Sequence, residues 1–204
     1  SKAQQTDVRS RLDALRQGCS TGFDGADQPT MRAATAGNGA YVAPTLLLCE
    51  QPQQAEAVHE VEVFGPVATL LPYDDLDEAL ALAARGRGSL VTTIATRDPA
   101  IAAHAARRAA VYHGRILVLD AEAAAESTGH GSPLPYLKHG GPGRAGGGEE
   151  LGGVRAVFHY LQRAAIQGSP TMVGAVVGEY VRGGQRIETE VQPFRRHFED
   201  LRIG

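Results

Sequence analysis

Lysine is scarce in this sequence, which has 204 residues. Only Lys2 and Lys138 are lysines, so the positive charge rests almost entirely on arginine, and the net charge is −3. Arginines and acidic residues are interspersed along the chain, so they form no basic face with aromatic side chains between its charges. Proteins that bind nucleic acids need such a face. We therefore expect no nucleic-acid partner.

Long hydrophobic runs are also absent, and no apolar stretch approaches the roughly 20 residues that span a bilayer. We therefore expect no membrane segment. The opening residues Ser-Lys-Ala-Gln-Gln carry neither an initiator methionine nor a signal-peptide layout, so we expect a cut inside a longer, cytoplasmic chain. A composition with 43% hydrophobic and 21% charged residues is typical of a globular protein with one main core.

Cysteine is limited to Cys19 and Cys49, too few for a multi-bridge disulfide framework, and we expect both to be free thiols. Cys49 ends an apolar run of three leucines, where a buried and inert sulfur is typical. We expect neither cysteine to be a catalytic nucleophile. None of the seven histidines has the spacing of a metal site, so we expect no metal.

The first quarter of the chain is predicted to form a helix, a loop and a strand. Apolar residues at helical spacing predict a helix over residues 3–17, with a left-handed C-terminal cap at Gly18. The polar residues 20–38 predict a loop, and the apolar residues 41–49 predict a strand. The buried side of the helix is expected to contain Val8, Leu12 and Leu15.

The middle of the chain alternates strands with helices. A turn at residues 64–66 leads into a strand, and capping signals at Asp75 and at Asp98-Pro99 predict two helices. Strands are expected after these helices, at residues 89–96 and 115–119. This alternation predicts an α/β fold with parallel strand pairing.

The last third of the chain is less regular. Residues 126–153 are crowded with glycine and predict a loop, and residues 157–167 predict a strand. Ser169-Pro170 predicts the start of a helix with Tyr180 on its buried side. Residues 183–204 are charged and weakly periodic, as is typical of a linker or the start of another domain.

Two segments carry residues suited to ligand binding. Glu62-Val63-Phe64-Gly65-Pro66-Val67 places a carboxylate and an aromatic ring beside a sharp turn. A carboxylate can accept hydrogen bonds from both hydroxyls of a ribose, and a ring can pack against a flat cofactor. An exposed glutamate and a core phenylalanine would give the same pattern, and the residues alone favour that reading. The glycines of residues 139–150 lack the flanking strand and helix of a phosphate cradle, which favours a packed structural loop.

Both segments resemble signatures of the aldehyde dehydrogenases. Glu62 to Val67 resembles their Glu-x-Phe-Gly-Pro-Val element, and Gly140 to Arg144 resembles their later Ser-Gly-x-Gly-Arg element, in the same order and separation. Residues 1–182 are thus expected to be the carboxy-terminal part of an aldehyde dehydrogenase domain. The resemblance implies an α/β fold with the strand and helix alternation of the catalytic domain and an oligomerisation strand at residues 157–167.

A narrower resemblance is to the bifunctional dehydrogenase–hydratases of bacterial phenylacetate degradation. Residues 126–135, 139–153 and 167–172 are similar to that subgroup, which also shares Gly140 and Ala145 where other family members carry serine and an acidic residue. Their hydratase domain has a hot-dog fold. We therefore expect residues 183–204 to be a linker and the truncated start of such a domain.

The resemblance assigns roles to four residues. Glu62 would hold the ribose of the nicotinamide half of NADP, with NAD as the alternative, and Phe64 would contact the nicotinamide ring. His130 and His139 would line the path of a CoA-linked aldehyde. The family's cysteine nucleophile, general-base glutamate and oxyanion asparagine would all precede this chain, so we expect no catalytic residue here and no activity from these residues alone.

The function implied by the resemblance is the NADP-dependent oxidation of a ring-opened acyl-CoA semialdehyde to its acid in phenylacetate degradation. The complete protein would be a homo-oligomer that also carries an enoyl-CoA hydratase/oxepin-CoA hydrolase. A semialdehyde dehydrogenase of the benzoyl-CoA pathway shares much of the pattern and stays open. A non-catalytic oligomerisation module built on residues 157–167, and a free-standing phosphate or CoA binder built on residues 139–153, also stay open.

Overall fold

The computed structural model describes residues 1–25, 39–127, 143–145 and 164–187. The chain divides into two compact units, residues 1–86 and residues 87–204. Each unit combines helices with a three-stranded sheet, as the predicted α/β alternation requires. Among the described residues, no helix has both the length and the apolar character needed to cross a membrane.

The first unit is built on a sheet with β2 at its centre. β2 is antiparallel to β1 and parallel to β3. The cluster of buried residues that we call the α1–β2 core contains Leu12, Leu15 and Leu47. In chain order the elements are α1 (Lys2–Arg16), β1 (Ser20–Asp24), β2 (Thr45–Leu48), α2 (Ala57–Glu60), β3 (Val67–Leu70) and α3 (Leu76–Ala84).

The opening helix is confirmed, but its predicted left-handed cap is wrong. Gln17 follows the helix in a right-handed conformation, and Gly18 does not adopt a positive φ angle. The Gly18 amide donates to the Leu15 carbonyl at 3.1 Å, so the last turn closes by a tighter i to i−3 hydrogen bond. This bond satisfies a terminal carbonyl without the special dihedral angles of glycine.

The polar stretch predicted as a loop begins instead with a strand, β1. Its residues 20–24 pair with β2, with a shift of register between Thr21 and Phe23. Strand formation here depends on the partner strand, which overrides the weak local preference of polar residues. Residues 26–38 of the predicted loop lie outside the described residues. The strand predicted at residues 41–49 is confirmed as the shorter β2.

The second unit is built on a parallel sheet with β5 at its centre. The predicted parallel pairing is confirmed for β4 and β5, whereas β3 belongs to the sheet of the first unit. Five buried alanines on α4 allow this helix to pack closely against α6. The elements are β4 (Ser89–Ala95), α4 (Pro99–Ala109), β5 (His113–Leu119), α5 (Ala121–Glu126), β6 (Ala165–Gln167) and α6 (Pro170–Val177).

Three predictions for the second unit need correction or restriction. Glu126 ends α5, so the predicted loop begins later than expected. Tyr180 is 58% exposed because α6 ends before it, at Gly178 in a left-handed conformation. Of the strand predicted at residues 157–167, β6 is confirmed, and residues 157–163 lie outside the described residues.

The carboxyl ends of β5 and β6 are joined by a hydrogen bond between two helix caps. Asp120 caps α5 by accepting from the Ala123 amide at 2.8 Å, and Ser169 caps α6 by accepting from the Met172 amide at 3.4 Å. The Ser169 hydroxyl donates to Asp120 at 2.6 Å. Burial of Asp120 acts to raise its pKa, but this hydrogen bond and those from backbone amides outweigh it, so the pKa lies below its ordinary value.

This pKa shift predicts a pH-dependent contribution to stability. Because the pKa of Asp120 is lower in the folded state, the contribution is complete above the ordinary carboxyl pKa of about 3.9. It is lost as the pH falls through the lower folded value. The difference in free energy of unfolding between the unchanged chain and Asp120→Asn should therefore be largest near neutral pH and shrink under acid conditions.

Urea unfolding at a series of pH values measures this difference. Asp74→Asn, a change at an exposed aspartate before α3, gauges the general effect of removing one carboxylate. A difference for Asp120→Asn that is constant from neutral pH to about pH 3 would contradict the linkage argument.

Candidate functional site

The segment of residues 61–66 leads into β3 and carries the two predicted cofactor residues. Val61 and Val63 pack against the α1–β2 core, whereas Glu62 is exposed and Phe64 is 72% exposed. Partly buried valines thus alternate with exposed side chains along residues 61–64. The Glu62 carboxylate and the Phe64 ring are both exposed to solvent. This placement contradicts the reading of Phe64 as a core residue.

Two side chains of α1 bind the backbone of this segment. The Arg11 guanidinium donates from Nη1 to the carbonyl of Glu62 at 3.1 Å, and Gln4 donates from Nε2 to the carbonyl of Phe64 at 3.3 Å. Arg11 also donates from Nε to both carboxylate oxygens of Asp7, at 2.8 and 2.9 Å. The backbone carbonyls are thus tied to α1, while the two side chains face outward.

Gly65 allows α1 to approach the turn closely. A Cβ atom at this position would lie 2.9 and 3.0 Å from the two γ-methyl carbons of Val8, which is closer than side-chain packing tolerates. Val8 is itself only 2% exposed, so it cannot move outward without opening the core. The glycine of this motif is therefore required by packing on α1.

The turn is also anchored to the sheet. The amide of Thr45 at the start of β2 donates to the Pro66 carbonyl at 3.0 Å. Within the turn, the Gly65 amide donates to the Val63 carbonyl and the Val67 amide donates to the Gly65 carbonyl, both at 2.8 Å. These three bonds hold the backbone that carries the two exposed side chains.

An exposed hydrogen-bond acceptor and an exposed aromatic ring fit the nicotinamide half of a dinucleotide. The Glu62 carboxylate makes no hydrogen bond to any other described residue, so both of its oxygens can accept from ribose hydroxyls. The largely exposed Phe64 ring offers a flat apolar face.

The two cysteines lie opposite each other across β1 and β2. Ser20 pairs with Leu48, so the preceding Cys19 and the following Cys49 form the next opposed pair. Both are free thiols, as predicted, and Cys49 is fully buried. Burial, and then the adjacent Cys49 thiol, raise the pKa of Cys19 to about 11. Near neutral pH Cys19 is therefore almost entirely protonated, which makes it a poor nucleophile.

The later glycine-rich motif is described only at residues 143–145. Gly143 has a φ angle of 54°, and a Cβ atom there would overlap the carbonyl of Arg87. The Arg144 amide donates to that same carbonyl at 3.0 Å. For these residues the geometry agrees with the predicted packed structural loop.

The two histidines predicted to line the substrate path, His130 and His139, lie outside the described residues. Among the residues that are described, no cluster of three histidine, cysteine or acidic side chains could hold a metal ion.

Sequence reasoning missed the contacts that Gln4 and Arg11 make with the turn. Helical spacing identifies Val8 as buried, and Gln4 and Arg11 stand four residues before and three residues after it. Both positions lie on the same helical face as Val8. This spacing was the available signal, but it gives no information about the distant carbonyls that the two side chains bind.

The sequence matches the model of the aldehyde dehydrogenase family over residues 1–165. Protein MaoC of Klebsiella aerogenes is 50% identical over 202 residues, which cover 98% of this chain and 58% of that protein. The 3,4-dehydroadipyl-CoA semialdehyde dehydrogenase of Aromatoleum evansii is 45% identical over 142 residues, which cover 70% of this chain and 28% of that protein. The chain thus spans little more than half of the first relative and under a third of the second.

A solved structure shows the same fold. An aldehyde dehydrogenase from Bartonella henselae superimposes with a TM-score of 0.55 at 24% identity, covering 79% of this chain and 30% of that one. This likeness confirms the predicted α/β fold of the aldehyde dehydrogenase type. Since the family model also matches most of the sequence, the predicted resemblance is confirmed, and the chain belongs to the aldehyde dehydrogenase family.

Proposed function

We propose that this chain is the carboxy-terminal part of a nicotinamide-dependent aldehyde dehydrogenase of aromatic degradation. In this proposal Glu62 and Phe64 contribute the pocket for the nicotinamide half of the cofactor. The observation that carries the proposal is the exposure of this carboxylate and this ring on a turn held by α1 and β2. Family membership supports it independently.

The proposed substrate is a ring-opened acyl-CoA semialdehyde that is oxidised to its acid in phenylacetate degradation. The name of the Aromatoleum evansii relative, a CoA semialdehyde dehydrogenase, supports this substrate class. The higher identity and wider coverage of the Klebsiella aerogenes relative favour a protein of that type over the alternative in the benzoyl-CoA pathway. NADP is the proposed acceptor, with NAD as the alternative. His130 and His139 are proposed to line the substrate path.

The complete protein is proposed to be a cytoplasmic homo-oligomer with a second, hydratase activity. Residues 1–182 would complete its dehydrogenase domain, and residues 183–204 would lead into a hot-dog domain with enoyl-CoA hydratase/oxepin-CoA hydrolase activity. Alignment with the Klebsiella aerogenes relative over 98% of this chain supports one continuous polypeptide across that boundary.

In the proposed mechanism, this chain binds and orients the cofactor. The Glu62 carboxylate accepts hydrogen bonds from two ribose hydroxyls, and Phe64 packs against the ring beside it. When bound, the nicotinamide cofactor accepts the hydride that leaves the aldehyde carbon. The thiol that attacks the aldehyde is proposed to lie elsewhere in the polypeptide, since Cys49 is buried and Cys19 is protonated.

Changing Glu62 to glutamine in the full-length protein should weaken its binding of the dinucleotide. An amide presents one acceptor where the carboxylate presents two, and charged hydrogen bonds contribute about 1.5–3 kcal/mol. We expect the KM for NADP, or for NAD, to rise about 10- to 100-fold. Glu50→Gln is the matched control, because Glu50 is an exposed carboxylate at the opposite end of β2. An unchanged KM would favour the non-catalytic oligomerisation module.

Changing Phe64 to alanine should also weaken the nicotinamide half of the interaction. Aromatic packing contributes about 0.5–1.5 kcal/mol beyond area burial, so we expect the KM to rise roughly 3- to 10-fold. Phe64→Leu, which keeps an apolar contact, should have a smaller effect. Steady-state kinetics with Tyr73→Ala, a change at another exposed aromatic residue, provides the control. Equal effects at the two aromatic positions would count against a specific ring contact.

Residues 1–204 on their own should oxidise no aldehyde, because neither cysteine is a competent nucleophile. The measurement is the appearance of reduced dinucleotide by absorbance, with aliphatic and aromatic aldehydes and with NADP or NAD. The full-length protein is the positive control. Turnover by residues 1–204 that is abolished by Cys19→Ala or Cys49→Ala would overturn the proposed division of labour.

A further inference from the structure

We infer that Gln4 and Arg11 of α1 are positioning residues, which fix the direction of the Glu62 and Phe64 side chains toward the nicotinamide half of the cofactor. This inference rests on the proposed function. It adds two residues to the site, each of which lies more than 50 positions along the sequence from the residue whose carbonyl it binds.

A single stripe of α1 makes all the contacts involved. Gln4, Val8 and Arg11 are spaced by four and three residues, so they lie one above another on the same helical face. Gln4 binds the Phe64 carbonyl, and Arg11 binds the Glu62 carbonyl. Between them lies Val8, whose methyl groups a side chain at position 65 would overlap. Three successive residues of the stripe therefore contact the segment of residues 62–65.

Fixing these carbonyls restricts the side chains that precede them. Each carbonyl belongs to the peptide plane that follows its own Cα atom, so a hydrogen bond to it limits rotation about the Cα–C bond. Val63, between the two carbonyls, is fixed by packing against the α1–β2 core. With these backbone planes held, the Cα–Cβ bonds of Glu62 and Phe64 keep a constant separation and direction before any ligand binds, which lowers the ordering cost of binding.

Asp7 orients Arg11 for this role. Arg11 uses Nε for both carboxylate oxygens of Asp7, which leaves Nη1 directed at the Glu62 carbonyl. The side chains of Arg11 and Asp7 are 45% and 49% exposed, and exposed pairs of this kind add little to stability. The loss of Arg11 should therefore change cofactor binding more than it changes folding.

The test uses the full-length protein and measures binding directly. NADPH, and NADH in parallel, is titrated by its fluorescence into the unchanged protein and into Arg11→Ala and Gln4→Glu. Gln4→Glu keeps the size of the side chain and removes its donor. We expect each change to raise the Kd about 3- to 10-fold, as for the loss of one hydrogen bond. Arg9→Ala, which removes an exposed arginine from the same helix, should leave the Kd unchanged.

Two further measurements separate positioning from general damage. The adenosine diphosphate half of the dinucleotide, which lacks the nicotinamide riboside, should bind all variants equally. Adding Arg11→Ala to Glu62→Gln should weaken dinucleotide binding less than it does in the unchanged protein, because residues that act through one contact are not additive. The inference would be overturned if the variants bound the adenosine diphosphate half as weakly as the whole dinucleotide. Full additivity of the effects of Arg11→Ala and Glu62→Gln on the Kd would also overturn it. So would a fall in thermal midpoint that accounts for the lost binding.

The outcomes also distinguish this inference from the proposed function. If Glu62→Gln leaves NADPH and NADH binding unchanged, the proposed cofactor site is wrong. If Glu62→Gln weakens binding while Arg11→Ala and Gln4→Glu do not, the cofactor site stands and the positioning role is wrong.

Discussion

Close packing of α1 on the turn of residues 62–66 is the constraint on which the candidate site depends. Val8 is buried at this contact, and it can be buried because Gly65 has no side chain. The same approach brings Gln4 and Arg11 within hydrogen-bonding distance of two carbonyls of the segment. One helix thus holds this short piece of backbone by apolar packing of Val8 and by hydrogen bonds from Gln4 and Arg11.

This packing explains why a large aromatic side chain stays in solvent. Phe64 belongs to a segment whose valines, at positions 61 and 63, already contribute to the α1–β2 core. Glu62 and Phe64, which alternate with these valines, are left exposed. The exposed ring adds nothing to the core, and the neighbouring carboxylate makes no hydrogen bond to another described residue. Both side chains are therefore available for the proposed cofactor contact.

The same unit shows that reactive residue types need a suitable environment. Cys19 and Cys49 lie opposite each other at the ends of two paired strands, and burial together with the Cys49 thiol raises the pKa of Cys19 to about 11. In the second unit, Asp120 uses its hydrogen-bonding capacity to join two helix caps. In both cases, side chains with catalytic potential serve the fold. This observation agrees with a chain that positions a cofactor while the proposed nucleophile lies elsewhere in the protein.

The sequence by itself determined the features that depend on neighbours along the chain. The starts of α3, α4 and α6 were predictable because Asp75, Asp98 and Ser169 cap amides only two or three residues away. The family was also recognisable from short motifs. Only the tertiary structure decided that β1 is a strand, since its polar residues depend on pairing with β2. It alone also decided that Phe64 faces outward and that α1 holds the turn. These features join residues as many as 60 positions apart, and no local preference specifies such contacts.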